Sequence, residues 1–148
     1  MRVAAEPITG GLYYWNAAAA TGAIVRFEFG VRGARRENYV DVARAGGSFC
    51  VGCHTLSADG TRMTVGADTP TEVLTMFDVA TRDVIWRTGT SMGVFLPSPT
   101  EPNYVALNTD GSLLAGSSLM GLYFRDGATG AMIAGPIGGG PSEMPEFS

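Results

Sequence analysis

Lysine is absent from this chain: all ten basic residues are arginine. A Schiff-base lysine, a P-loop lysine and a lysine axial ligand are therefore excluded within it. Histidine occurs once, at position 54, and cysteine twice, at positions 50 and 53. A lone histidine excludes metal or catalytic sites built from several imidazoles of this chain. Charged residues make up only 16% of the sequence and leave a net charge of −4, so nucleic acid is not an expected partner. No stretch approaches the ~18 consecutive apolar residues of a membrane helix. Met1 to Gly11 lacks the apolar core of a signal peptide. Helical periodicity is scarce as well. No long window repeats apolar residues at i, i+3, i+4 and i+7, and glycine or proline interrupts most stretches.

What is present reads as β-structure. Hydrophobic residues make up 45% of the 148 and glycine accounts for 21, which suits a turn-rich, single-domain fold over 1–148. Leu12 to Trp15 and Ala23 to Phe29 read as strands joined through Ala20-Thr21-Gly22. In the second strand Val25, Phe27 and Phe29 share one face and Ile24 and Arg26 the other. Ser57–Val65 reads as a turn followed by a strand, Leu74–Val79 and Asp83–Arg87 as a further hairpin, Tyr104–Leu107 leads into Asn108–Ala115, and Gly121–Phe124 reaches Ala131–Ile133.

These pieces recur in order. An Asp-Gly turn stands at 59–60 and again at 110–111, 51 residues further on. Short connectors of Ala-Thr-Gly type stand at 20–22, 80–82 and 128–130. A period of roughly 40–50 residues with about four strands per unit is the pattern of a β-propeller blade. Leu56-Ser57-Ala58-Asp59-Gly60 and Phe77-Asp78-Val79-Ala80-Thr81 resemble the TolB-type, WD40-like propeller repeat, and Leu107-Asn108-Thr109-Asp110-Gly111 matches it more loosely. The resemblance covers most of residues 55–135 and implies a fold rather than a chemistry. The expected fold is all-β, a partial β-propeller of two to three blades. Closed propellers take at least four blades, or about 160 residues, so the expectation is a piece of a longer protein or an assembly completed by other copies.

The chemistry concentrates in Cys50-Val51-Gly52-Cys53-His54. Two thiols separated by two residues and followed by an imidazole form the pattern for covalent attachment of a c-type haem. Each thiol adds to one vinyl group of the macrocycle, and the histidine supplies an axial bond to the iron. Three other uses of these residues were weighed. A disulfide or buried thiol pair is the plainest. A thioredoxin-like motif needs a βαβ context, which the glycine-rich flanks do not offer. Zinc needs further ligands, such as Asp59 or Asp68, or a second chain. The histidine directly after the second cysteine favours one covalent haem c, held by Cys50, Cys53 and His54.

The motif resembles that of cytochrome c, but a cytochrome c domain is helical and this motif sits among strands. Residues 30–56 are therefore expected to form an extended haem-attachment loop inserted into the propeller. Arg32, Arg35, Arg36 and Arg44 of that stretch could meet haem propionates or could be a solvated basic loop. With His54 used, a sixth ligand would be methionine. Met92 is the first choice, in a Gly- and Pro-flanked loop, with Met120 and Met63 behind it. Phe49, Trp86 and Phe95 are candidates to shield the haem, or ordinary core residues.

The functional expectation is single-electron transfer between redox partner proteins. The location would be periplasmic or extracellular, since such haems are attached outside the cytoplasm. Two alternatives stand beside it: a non-haem propeller scaffold for protein interaction, and part of a larger periplasmic haem-containing oxidoreductase. No nucleophile–base pair or second ligand cluster marks the chain as a catalyst on its own.

Overall fold

Alternating side chains and Asp- or Gly-bearing turns build three antiparallel sheets in chain order. The computed structural model describes residues 9–18, 22–47, 50–68, 73–88, 104–118, 120–138 and 147. The first sheet is a three-stranded meander of β1 (Gly10–Asn16), β2 (Ala23–Phe29) and β3 (Glu37–Asp41). A four-residue helix, α1 (Val42–Ala45), follows, capped by Asp41, whose carboxylate accepts from the Arg44 N–H at 2.8 Å. The second sheet runs β4 (Cys50–Leu56), β5 (Arg62–Asp68), β6 (Val73–Asp78) and β7 (Val84–Arg87), each strand paired with the next. The third repeats that order with β8 (Tyr104–Leu107), β9 (Leu113–Ser118), β10 (Gly121–Asp126) and β11 (Met132–Ile137).

The second sheet lies between the other two, which explains its composition. One face carries Val51, Met63, Val65, Ala67 and Phe77 against Ile24, Tyr39 and Val40 of the first sheet. The other carries Leu74, Met76 and Trp86 against Leu107 and Leu114 of the third. Covered on both sides, β6 is buried from Val73 through Phe77 and reads as a continuous run rather than an alternation. Met63 and Phe77 are fully buried and directly opposite each other in the ladder.

The sequence repeats are also repeats of hydrogen bonding. The Ser57 N–H donates to the Arg62 carbonyl and the Asn108 N–H to the Leu113 carbonyl, at 3.0 and 3.1 Å. Asp59 accepts from the Thr61 N–H, and Asp110 from the Ser112 N–H. In the next hairpin, Asp78 accepts from the N–H groups of Ala80 and Thr81, and Asp126 from those of Ala128 and Thr129. The sheets are joined in the same way twice. The Tyr39 hydroxyl donates to the Val79 carbonyl, and Trp86 Nε1 donates to the Gly127 carbonyl at 2.9 Å. Each acceptor is the residue directly after a hairpin aspartate, so β3 holds in the first sheet the place that β7 holds in the second.

Two differences from the sequence reading follow. First, only residues 30–36 of the expected extended loop lie outside regular structure before β3. Residues 37–41 pair with β2, 42–45 form a helical turn, and 50–56 pair with β5. The reason is local pattern plus tertiary cover: Tyr39 and Val40 are buried, Asp41 caps a turn, and Val51 is fully buried. Second, the connector ending at Gly22 is not equivalent to those at 80–82 and 128–130. Gly22 sits against the Val51 carbonyl, at the end of the sheets where β4 begins. The Asp78 hairpin lies at the opposite end, where the Val79 N–H donates to the Thr61 carbonyl at 2.9 Å.

Candidate functional site

The Cys-x-x-Cys-His residues lie along β4, the edge strand of the central sheet. Its inner side pairs with β5: Cys50 opposite Asp68, Val51 opposite Ala67, Gly52 opposite Gly66. The pairing then slips, and His54 stands opposite Val65. Cys53 is the extra residue of this bulge, with φ 44. A bulge inserts one residue and re-aims the side chains around it. Without it, residues three apart would point to opposite faces of the strand. With it, Cys53 shares the face of Gly52, and His54 returns to the face of Val51 and Leu56.

Both faces are shaped by their neighbours. Cys53 is exposed. A side chain begun at Gly66 would come 3.6 Å from Cys53 Cβ, so the missing side chain leaves the backbone beneath the cysteine bare. Gly52, directly across the ladder, is bare as well. A Cβ there would lie 3.9 Å from the indole nitrogen of Trp15, a residue 51% exposed. On the opposite face His54 is half-buried. Burial pushes its imidazole below the ordinary histidine range, and the nearby main chain of Tyr13 works in the other direction. Tyr13 is itself held edge-on against Tyr39, ring centres 4.9 Å apart.

A c-type haem asks for two thiols and an imidazole around one macrocycle. Here Cys53 and His54 lie on opposite faces of β4, and burial favours the neutral form of the His54 ring. The exposed thiol and the edge position of β4 give access.

The comparisons with known proteins add no family: no protein-family model matches the chain, and no curated protein matches it in sequence.

The other sequence candidates separate clearly. Met63 is fully buried in the packing between the first two sheets. Met120 lies in the β9–β10 turn and is 50% exposed. That turn follows β9 as the 69–72 segment follows β5, so it belongs to the same end of the sheets as Cys50. Met92, Phe95 and Phe49 fall outside the described residues. Trp86 is core, committed to Gly127. Arg32, Arg35 and Arg36 are exposed on the β2–β3 hairpin, at the far end of β2 from Gly22 and Val51. Arg44 donates to the Arg82 carbonyl at 3.2 Å. Among the described residues no group of three or more His, Cys, Asp or Glu side chains gathers as a metal site. Asp59, named as a possible zinc ligand, spends its carboxylate on Ser57 and Thr61.

Two elements of the site were not found by sequence reasoning. The bulge at Cys53 leaves no signal beyond the neighbouring Gly52. The approach of His54 to the Tyr13 main chain joins residues forty-one positions apart and has no local signature.

Proposed function

We propose that this chain carries one covalent c-type haem and passes single electrons between partner proteins. Cys50 and Cys53 would form the thioethers and His54 would be an axial ligand. The haem would supply the redox couple. The chain's own residues present Cys53 on a bare Gly52–Gly66 strip and set the polarity around the site through Trp15. The observation that carries the reading is the Cys-x-x-Cys-His spacing, set on an edge strand with Cys53 exposed and His54 half-buried. Met92 is the proposed second axial ligand; Met63, sealed in the core, is not available to one. Attachment of this kind places the protein in the periplasm or outside the cell.

The repeated meanders support a propeller-type arrangement for the scaffold, with each sheet a blade and the motif on the first strand of the central blade. The recurring Tyr39–Val79 and Trp86–Gly127 bonds favour it, because they join successive sheets by one rule. The same observation supports the second reading, a scaffold for protein interaction without haem.

A pyridine haemochrome spectrum on protein from a host with c-type maturation separates the two. Haem that resists acid–acetone extraction, and is lost when both cysteines are replaced by serine, is the expected result. Colourless protein beside a correctly matured control would leave the scaffold reading.

A further inference from the structure

The internal repeat makes one departure visible. The second and third sheets close their outer hairpin in five residues, 79–83 and 127–131, each opened by an aspartate that accepts three hydrogen bonds. The equivalent hairpin of the first sheet, between β2 and β3, takes seven residues, 30–36, and Phe29 stands where the aspartate would be. Its tip is a tight turn in which the Ala34 N–H donates to the Val31 carbonyl at 3.1 Å and Gly33 adopts φ 76. Arg32 occupies the turn, and Arg35 and Arg36 follow it. All three are exposed, and none has an ion pair or side-chain hydrogen bond among the described residues. The carboxylates that flank the hairpin in sequence are already used: Glu28 by Arg26, and Glu37 by Arg82 through both oxygens at 2.8 Å. Val31, beside Arg32, is 57% exposed.

A hairpin that is longer than its two counterparts, carries charge of one sign and exposes an apolar side chain departs from the local rule that the rest of the chain obeys. We propose that this hairpin docks the protein on an anionic lipid surface, with the three guanidiniums on headgroup phosphates and Val31 at the hydrocarbon boundary. Arginine suits phosphate by its planar set of donors. An exposed valine on the same hairpin as three exposed arginines fits an interface where anionic oxygens overlie hydrocarbon; an acidic protein surface would satisfy the charge and leave Val31 in water. The chain as a whole carries −4, so attraction must come from the patch at short range and must fail once salt shortens the screening length. The inference stands apart from the haem reading, since the hairpin lies at the other end of β2 from the motif.

The test is co-sedimentation of the full chain with vesicles of phosphatidylglycerol and phosphatidylcholine, against phosphatidylcholine alone, at low and high salt. Each arginine contributes about fivefold near an anionic surface, so the three together give roughly 100-fold stronger partition onto the anionic vesicles. The triple variant R32Q/R35Q/R36Q, its fold checked by circular dichroism, loses that preference, and Val31→Ser weakens binding without changing its salt dependence. Equal partition onto both vesicles, or an unchanged triple variant, overturns the proposal.

Discussion

At the scale of single residues, the chain relies on side chains that replace missing backbone partners. Asp78 and Asp126 hold their hairpins by accepting from two N–H groups and a threonine hydroxyl each. These hydrogen bonds hold both carboxyls below the ordinary aspartate range, those from Thr81 and Thr129 first. Asp59 and Asp110 are held low in the same way, led by Ser57 and Ser112. A carboxyl whose folded pKa is depressed contributes stability that is present above its unfolded value, near 3.9, and is lost as pH falls through the folded value. Unfolding followed across pH 5 to 2 should therefore show stability falling with acid, and the double variant D78N/D126N should have a shallower slope there. An identical slope would mean these turns are not the acid-sensitive elements. Gly130 makes a second case. Its φ is 73, and an added Cβ would meet the Trp86 ring at 2.7 Å. Gly130→Ala should destabilise the fold by about 1–3 kcal/mol in urea titration.

At the scale of elements, the strands were legible because turn chemistry marks them. The Asp-Gly and Asp-x-x-Thr segments bound β5, β6, β9 and β10, and the alternation in β2 is plain. The strand character of Cys50–Leu56 was not legible. Two cysteines, a glycine and a histidine carry little β propensity, and what holds β4 is pairing with β5 and burial of Val51, both decided at a distance. The same holds for β3 and its four-residue helix. The candidate site was half legible: the candidate residues Cys50, Cys53 and His54 stand in one pentapeptide, whereas Tyr13, Trp15 and Gly66, which border it, come from other strands. The bonds between sheets were invisible for the same reason, since Tyr39 and Val79 are 40 residues apart. These bonds yield a prediction. Trp86→Phe keeps most of the ring's packing and removes the donor to Gly127, so it should cost about 1–3 kcal/mol, in the range for a buried carbonyl left without its partner. Tyr39→Phe should cost a similar amount at Val79. If each bond acts at its own junction, the double variant should be close to additive; strong non-additivity would show that the three sheets share one cooperative core.

At the scale of the whole molecule, the second sheet is the keystone. It is covered on both faces, and it carries the Cys-x-x-Cys-His segment. Met63→Ala should cost about 2–5 kcal/mol, because it opens a cavity between the first and second sheets where nothing polar compensates. The loss should appear as one cooperative transition if the sheets unfold together. The two ends of the stack would then carry different tasks: covalent haem chemistry where β4 begins, and attachment to an anionic surface at the β2–β3 hairpin. The measurement that bears most directly on the central claim is the intact mass of the denatured protein after expression with c-type maturation, beside the His54→Ala and Cys50→Ser/Cys53→Ser variants. The account predicts a gain of one haem mass per chain in the wild type, none in the cysteine variant, and an altered Soret spectrum in any His54→Ala protein that retains haem. A wild-type mass equal to the bare polypeptide, with a control cytochrome fully matured in the same cells, would contradict it.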